Sequence, residues 1–574
     1  MKWKKLSRYV TFPLSKLVLV LLFPQELFLE RLEPSKIAHH DYILEGTGIG
    51  LLRREICTAG TRVRILDNIT TWAKDNSPDS PDVYWLFGSA GSGKSTIAYT
   101  IARRFEFAGD SNDTIILGGN FFCSRQFEET RLSKYIIRTI AYHLALTCKP
   151  FADALHRSAN LITRDHSINT QIENLLVKPW PWKEPHCAHH RDPSVPPHAD
   201  PSMRPQNYLV VIDALDEIDG NGGYDFLRNL LNVVNKHRLP GLKFFVTSRS
   251  DPGLVADVEK FERKHRYRLQ DVNEEEVRDD IAIYINANLA DPLDRSQVWA
   301  LVVLSAGLFI YATTVVKYLA TCGRSEQQDF LAELFSTADS STPQPLSDAM
   351  SFTLLDTLYL QVLRHAFRDF TPETPKWFAR LRILHTFLCT AEQTSTSVIA
   401  HLLFTSDYTD VAEKLLSDLH AVLYTEDGQV LAYHKSFSDF IFNQARSDVF
   451  WCNQVTHHRL LTDSCFRIMK DGLHFNIANI SSSFLFDENN PILSDAIKTN
   501  ISPVLSYSCK NWGYHLSSTT STTPDHLYDT LSDFLQIHAL FWIEVMNLLG
   551  LRGHCNPILQ IAHKWVVKSK VSIF

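Results

Sequence analysis

Val83-Tyr-Trp-Leu-Phe-Gly88-Ser89-Ala90-Gly91-Ser92-Gly93-Lys94-Ser95-Thr96 is the stretch that decides how this 574-residue chain is read. Five apolar residues of strand type run into a glycine-rich turn. The turn opens into a helix pattern with apolar Ile97, Ala98, Ile101, Ala102 and Phe105. Gly88 through Ser95 fits G-x-x-x-x-G-K-[ST], the phosphate-binding loop. Glycines let the backbone curl its N–H groups inward around phosphate oxygens, because no Cβ blocks that curvature. The helix behind adds the positive end of its dipole. Residues Gly88 to Thr96 are therefore expected to cradle a nucleotide. Lys94 would reach the β- and γ-phosphates and Ser95 would hold Mg²⁺.

Working outward, Tyr208-Leu-Val-Val-Ile212-Asp213-Ala-Leu-Asp216-Glu217 reads as a central parallel strand ending in carboxylates. Ligands bind such sheets at the carboxyl ends of the strands. Asp213 is thus expected to bind Mg²⁺, with Asp216 and Glu217 just beyond, placed to orient attacking water. The bland alternative is an acidic helix start. Leu242-Lys-Phe-Phe-Val-Thr247-Ser248-Arg249 is a further strand, and Arg249 at its end suits a γ-phosphate contact. The alternative is a surface arginine. Ile115–Cys123 and Tyr267–Leu269 complete five strand candidates. A strand between the loop strand and the Asp213 strand marks the additional-strand ATPases. The expected fold is an α/β P-loop NTPase core with a five-stranded parallel sheet, followed by mostly helical domains. No [NT]-K-x-D guanine-reading motif occurs, since His237-Arg238 follows Asn235-Lys236. ATP is favoured over GTP.

Composition sets the bounds. Length over about 150 gives three or four domains. The hydrophobic fraction of 45% and charged fraction of 21% are those of a globular protein. A net charge of −7 gives no reason to expect nucleic acid or an anionic membrane as partner. The ten cysteines are scattered with no C-x-x-C pair and read as reduced thiols of a cytoplasmic protein. Leu17–Phe23 is far shorter than the ~20 apolar residues of a membrane span. It reads as a short N-terminal helix rather than a signal peptide. Prolines crowd residues 180–206, so a flexible insertion is expected there, and His186, Cys187, His189 and His190 within it match no structural zinc spacing.

Taken together, Cys57-x-x-Gly60-Thr61-Arg62, the Gly88–Thr96 loop, Phe121-Phe-x-Ser-Arg125, Val211–Glu217 and Phe244–Arg249 resemble fungal NACHT proteins with a nephrocystin-3-like N-terminal NACHT. These are signal-transduction ATPases of the STAND class, relatives of NOD-like immune receptors. The resemblance implies a nucleotide-dependent conformational switch that binds ATP or ADP with Mg²⁺. It implies slow hydrolysis, homo-oligomers when activated, and a part in non-self recognition or programmed cell death. It brings Arg62 into the nucleotide site, and assigns His434, in His434-Lys-Ser-Phe437, to the β-phosphate of ADP. Relatives place a proline that contacts the adenine pocket where this chain has Phe309. Residues 1–50 read as a leader, weakly structured or helical, and the resemblance then implies a NACHT core over 51–270. A helical domain follows over 271–335, then a linker and winged-helix-like domain over 336–450, and a helical domain over 451–574. Asp427-Gly428 between strand-type runs signals a hairpin. With both ends short, the chain reads as the central switch. The rival from another class is a scaffold that binds nucleotide without turning it over.

Overall fold

The computed structural model describes residues 28–41, 54–77, 79–106, 115–158, 167–181, 207–250, 255, 264–269, 274–289, 291–338, 348–404, 408–426, 428–480, 492–520 and 526–571. The proline-rich insertion from 182 to 206 and most of the leader lie outside these residues. The chain divides into two compact units, one of residues 1–287 with 307–309, the other of 288–306 with 310–574.

The first unit is a parallel sheet between helices. Helix α1 (Val63–Lys74) buries Ile65, Leu66, Ile69 and Trp72, the spacing that puts one stripe against a core. Strand β1 (Val83–Phe87) leads through the glycine-rich turn into α2 (Lys94–Glu106). Strand β2 (Ile115–Phe122) is followed by α3 (Lys134–Thr147). Then come β3 (Asn207–Asp213), α4 (Gly222–Lys236) and β4 (Leu242–Ser248). In space the order is β2-β3-β4-β1, every neighbouring pair parallel, and β5 (Lys264–Arg268) runs parallel to β1 on its outer side. The strand lying between the loop strand and the Asp213 strand is therefore β4. Strand β2, which separates them along the chain, lies at the far edge.

Alternation along the strands feeds two cores. Val83, Trp85 and Phe87 join α3 and α4 on one face. Tyr84 and Leu86 join α1 and α2 on the other. Both faces are dry, which is why β1, β3 and β4 read as unbroken apolar runs. Part of the leader belongs to this core: Phe28, Leu29, Leu32 and Ala38 pack with α3, and Phe122 N–H donates to the Ala38 carbonyl at 2.9 Å.

Helix α5 (Glu274–Asn288) closes the first unit's described residues before the boundary. The apolar stretch over Val298–Leu319 is not one helix. It is α6 (Arg295–Ser305) and α7 (Phe309–Leu319), separated where Ala306 and Gly307 take φ of 46° and 76°. Left-handed backbone ends a right-handed helix, and glycine bears it at no steric cost. A capping box of Asp294 and Gln297 fixes the start of α6. Among its described residues the second unit is helical apart from one hairpin. Helix α8 (Pro375–Cys389) starts on a Thr374 cap with proline in its first turn. Strands β6 (Leu423–Glu426) and β7 (Gln429–Ala432) pair antiparallel, with Gly428 at φ 75° in the turn. Helices α9 (Lys435–Ile441), α10 (Gln454–Gly472) and α11 (Pro503–Ser517) follow. No helix among the described residues is long and apolar enough to cross a membrane.

Gly223 shows how tightly the Asp216–Glu217 turn is seated. A Cβ there would lie 1.9 Å from the Leu215 carbonyl oxygen, backbone that cannot swing aside. Gly223→Ala is expected to cost about 1–3 kcal/mol of stability through this overlap. A urea-unfolding midpoint equal to that of the parent protein would show that the turn does not depend on the close approach.

Candidate nucleotide-binding site

The site is built at the carboxyl edge of the sheet, where β1, β3 and β4 end. Gly91 and Gly93 hold φ of 77° and 93°, values open to glycine and costly for other residues. Between them the loop turns, and the Ser92 hydroxyl ties it by donating to the Ser89 carbonyl at 2.8 Å. The Lys94 ammonium is folded back over the turn, donating to the carbonyls of Gly88 at 2.9 Å and Ser89 at 2.7 Å. Burial lowers the Lys94 pKa to about 8, against the pull of Asp216, Asp213 and Glu217 and with a further push from Arg249. Register places the end of β4 beside the start of the loop: Phe87 pairs with Ser248, and Gly88 N–H faces the Ser248 carbonyl at 3.4 Å.

Asp213 ends β3 with 3% exposure. Burial raises its carboxyl above the usual range, while hydrogen bonds from Thr247 and Ser95 favour the ionised form. The Thr247 hydroxyl donates to Asp213 Oδ1 and itself accepts from Ala214 N–H at 2.9 Å. So the loop serine and a threonine from β4 both reach the β3 carboxylate. A buried carboxylate beside a hydroxyl is the donor set of a hard cation such as Mg²⁺. The residues fit that ion.

Beyond Asp213, Ala214 takes φ 56° and Leu215–Glu217 forms a single 3₁₀ turn. The turn aims the two acids differently. Asp216 pairs with Arg249, Oδ2 to Nε at 3.0 Å, and its Oδ1 accepts from the Arg249 backbone N–H at 3.0 Å. Glu217 Oε2 accepts from the Arg125 backbone N–H at 3.1 Å, and Arg125 Nη2 donates to the Asp216 carbonyl at 3.3 Å. Arg249 therefore stands at this edge with a carboxylate partner from the same cluster.

Arg62 reaches the loop from the other side. It sits at φ 56° just before α1 and is 4% exposed. Its Nη2 donates to the Ser92 carbonyl at 2.9 Å, its backbone N–H donates to Asp280 Oδ2 at 3.1 Å, and its Nε lies 3.8 Å from the same oxygen. The guanidinium stacks over the Phe309 ring at 4.6 Å, and that ring meets Tyr284 edge-on at 6.1 Å. His434 belongs to the second unit. It caps α9, Nδ1 accepting from Ser436 N–H at 3.1 Å.

The edge of the sheet thus gathers Gly88–Thr96, Arg62, Asp213, Asp216, Glu217 and Arg249. Three contributors carry no role that their local sequence announces. Thr247 is one of the polar residues that end β4. Arg125 follows β2 in a polar turn. Asp280 lies 218 residues from Arg62, and no local pattern announces that partnership.

One family comparison covers the region that carries the site. The family model for the N-terminal region of nephrocystin 3 matches residues 60–249. Among solved structures, a Walker-type ATPase of Pyrococcus abyssi aligns at 14% identity and a TM-score of 0.29, over 67% of this chain and 98% of that one. A structure of Drosophila ORC bound to DNA aligns at 12% identity and a TM-score of 0.26, over 75% and 93% respectively. Likenesses that weak carry no weight for function. No curated protein matches the chain. The matched family region and the cradle make this a P-loop NTPase-like, nucleotide-binding protein.

A phosphate favours the charged form of Lys94, whose pKa is about 8. ADP affinity should therefore fall as pH rises above about 8, by up to about tenfold per unit, until the bound form also loses its proton. Calorimetric titration at neutral and alkaline pH checks this. A flat profile, or the same slope in Lys94→Met, would remove Lys94 from the phosphate site.

Proposed function

We propose that this protein is an ATP- and ADP-binding switch that hydrolyses its nucleotide slowly. The observation that supports it best is the Asp216–Arg249 pair set beside the loop lysine and the Asp213–Ser95–Thr247 cluster. In this reading Ser95 and Asp213 hold Mg²⁺. When bound with nucleotide, that ion neutralises phosphate charge. Lys94 exchanges its carbonyl partners for phosphate oxygens. Glu217 orients the attacking water. Arg249 has two anionic partners to choose between, the Asp216 carboxylate and a third phosphate. Nucleotide shifts an equilibrium only through such differential contacts, so phosphate number would be read as the position of Arg249. Arg62 braces Ser92 and carries an aromatic neighbour, Phe309, where related NACHT proteins use proline against adenine.

The finer parts of the reading rest on the motif resemblance. These are the NACHT identity within the additional-strand class, a winged helix built around the β6–β7 hairpin, the β-phosphate contact of His434, oligomers in the activated form, a cytoplasmic setting, and signalling in fungal non-self recognition or cell death. The scaffold reading differs in one measurable respect, turnover. Wild type should release phosphate from ATP slowly, and Glu217→Gln should lower the rate by about 10²-fold or more while keeping nucleotide affinity. Equal background rates for both would leave the scaffold. Nucleotide extracted from the purified protein is expected to be ADP. For the switch itself, His434→Leu should raise the oligomer fraction in size-exclusion runs, and an unchanged monomer that retains ADP equally well would dismiss His434.

A further inference from the structure

A second constellation lies in the helical unit, far along the chain from the phosphate loop. His385 and Cys389 are four residues apart on α8, hence on one face of that helix. Cys452 stands just before α10, its N–H held by the Ile441 carbonyl at 3.0 Å, and His457 lies in the first turn of α10. All four are buried, with exposures of 8%, 3%, 1% and 6%. The ligand atoms of His385, Cys452 and His457 lie within 4.8 Å of one another. Cys389 Sγ is 3.9 Å from Cys452 Sγ. Two thiolates on a tetrahedral zinc, with bonds of about 2.3 Å, stand about 3.8 Å apart. Two sulfurs of a disulfide stand about 2.05 Å apart.

The outer hydrogen bonds set both imidazole rings. His385 Nε2 lies 3.0 Å from the Phe450 carbonyl, which only accepts, so Nε2 carries the proton. His457 Nε2 lies 2.9 Å from Thr386 Oγ1. That hydroxyl spends its own proton on the Arg382 carbonyl at 2.8 Å, so it accepts from His457. In each ring the neutral form then keeps its lone pair on Nδ1. Metal-bound histidines are oriented in this way, by a hydrogen bond from the other nitrogen to a carbonyl or hydroxyl. Two sulfur and two nitrogen donors, packed in a dry interior, match zinc in a closed structural site with no position left for substrate.

We propose that His385, Cys389, Cys452 and His457 bind one structural Zn²⁺ that ties α8 to the start of α10. The pairs His-x₃-Cys and Cys-x₄-His are separated by more than sixty residues, so neither resembles a local zinc motif. The metal would supply part of the second unit's folding free energy, since the four donors converge only once the two helices have docked.

Metal analysis of the desalted full-length protein, grown with added zinc, tests the proposal. About one zinc per chain is expected. Cobalt exchanged into the same protein should give the intense near-ultraviolet thiolate bands and visible bands of a tetrahedral site. Cys389→Ser and Cys452→Ser should each abolish stoichiometric binding. Zinc absent both as purified and after reconstitution would overturn the site, as would zinc retained at full ratio in both serine variants. If those variants fail to fold, the cobalt spectrum of the wild type decides, and one without thiolate bands refutes the assignment. A native disulfide joining Cys389 and Cys452 in non-reduced peptide maps refutes it equally.

Discussion

The first unit depends on a carboxylate taken out of water. Asp213 is buried at the end of β3, and burial alone would favour its neutral form. Thr247 and Ser95 offset that cost with hydrogen bonds, one from the neighbouring strand, the other from the phosphate loop. The bond network therefore ties three chain segments at one point. It also fixes β4 next to β3, because Thr247 must lie opposite Ala214 to accept its N–H. Once β4 is so placed, Arg249 follows one residue past the strand and reaches Asp216. Fold and site are one arrangement here.

Opposite charges, two cationic and three carboxylate groups, crowd a small volume around Lys94. Arg249, Asp213, Asp216 and Glu217 all act on Lys94, whose proton burial loosens. Changing the charge at any of these positions shifts the others, so single substitutions in the cluster will not add.

Consecutive motifs were legible because the chemistry they encode is local. A phosphate loop needs its glycines, lysine and serine within eight residues, and a strand that ends in a carboxylate writes both facts in one line of sequence. Spatial order was less legible. The chain places β2 between the loop strand and β3, whereas the sheet places β4 there. Order along a parallel sheet depends on crossovers, which composition does not encode. The leader's part in the core was less legible for another reason. Phe28, Leu29, Leu32 and Ala38 are few and irregularly spaced, yet they finish a core begun by α3. The buried Cys and His set of α8 and the start of α10 carries no sequence signal, because each half, taken alone, looks like ordinary buried core.

Arg62 carries a lesson about excision. The matched family region ends at 249, and every phosphate-loop motif lies inside it. Yet Asp280 and Phe309, which hold the arginine's backbone and its charged plane, come afterwards, and residues 307–309 return to the first unit after the chain has already left it. The boundary of the recognisable motif is thus not the boundary of the cooperative body. A fragment cut at the motif's edge would keep the whole phosphate cradle and lose the counter-charge that steadies one of its walls.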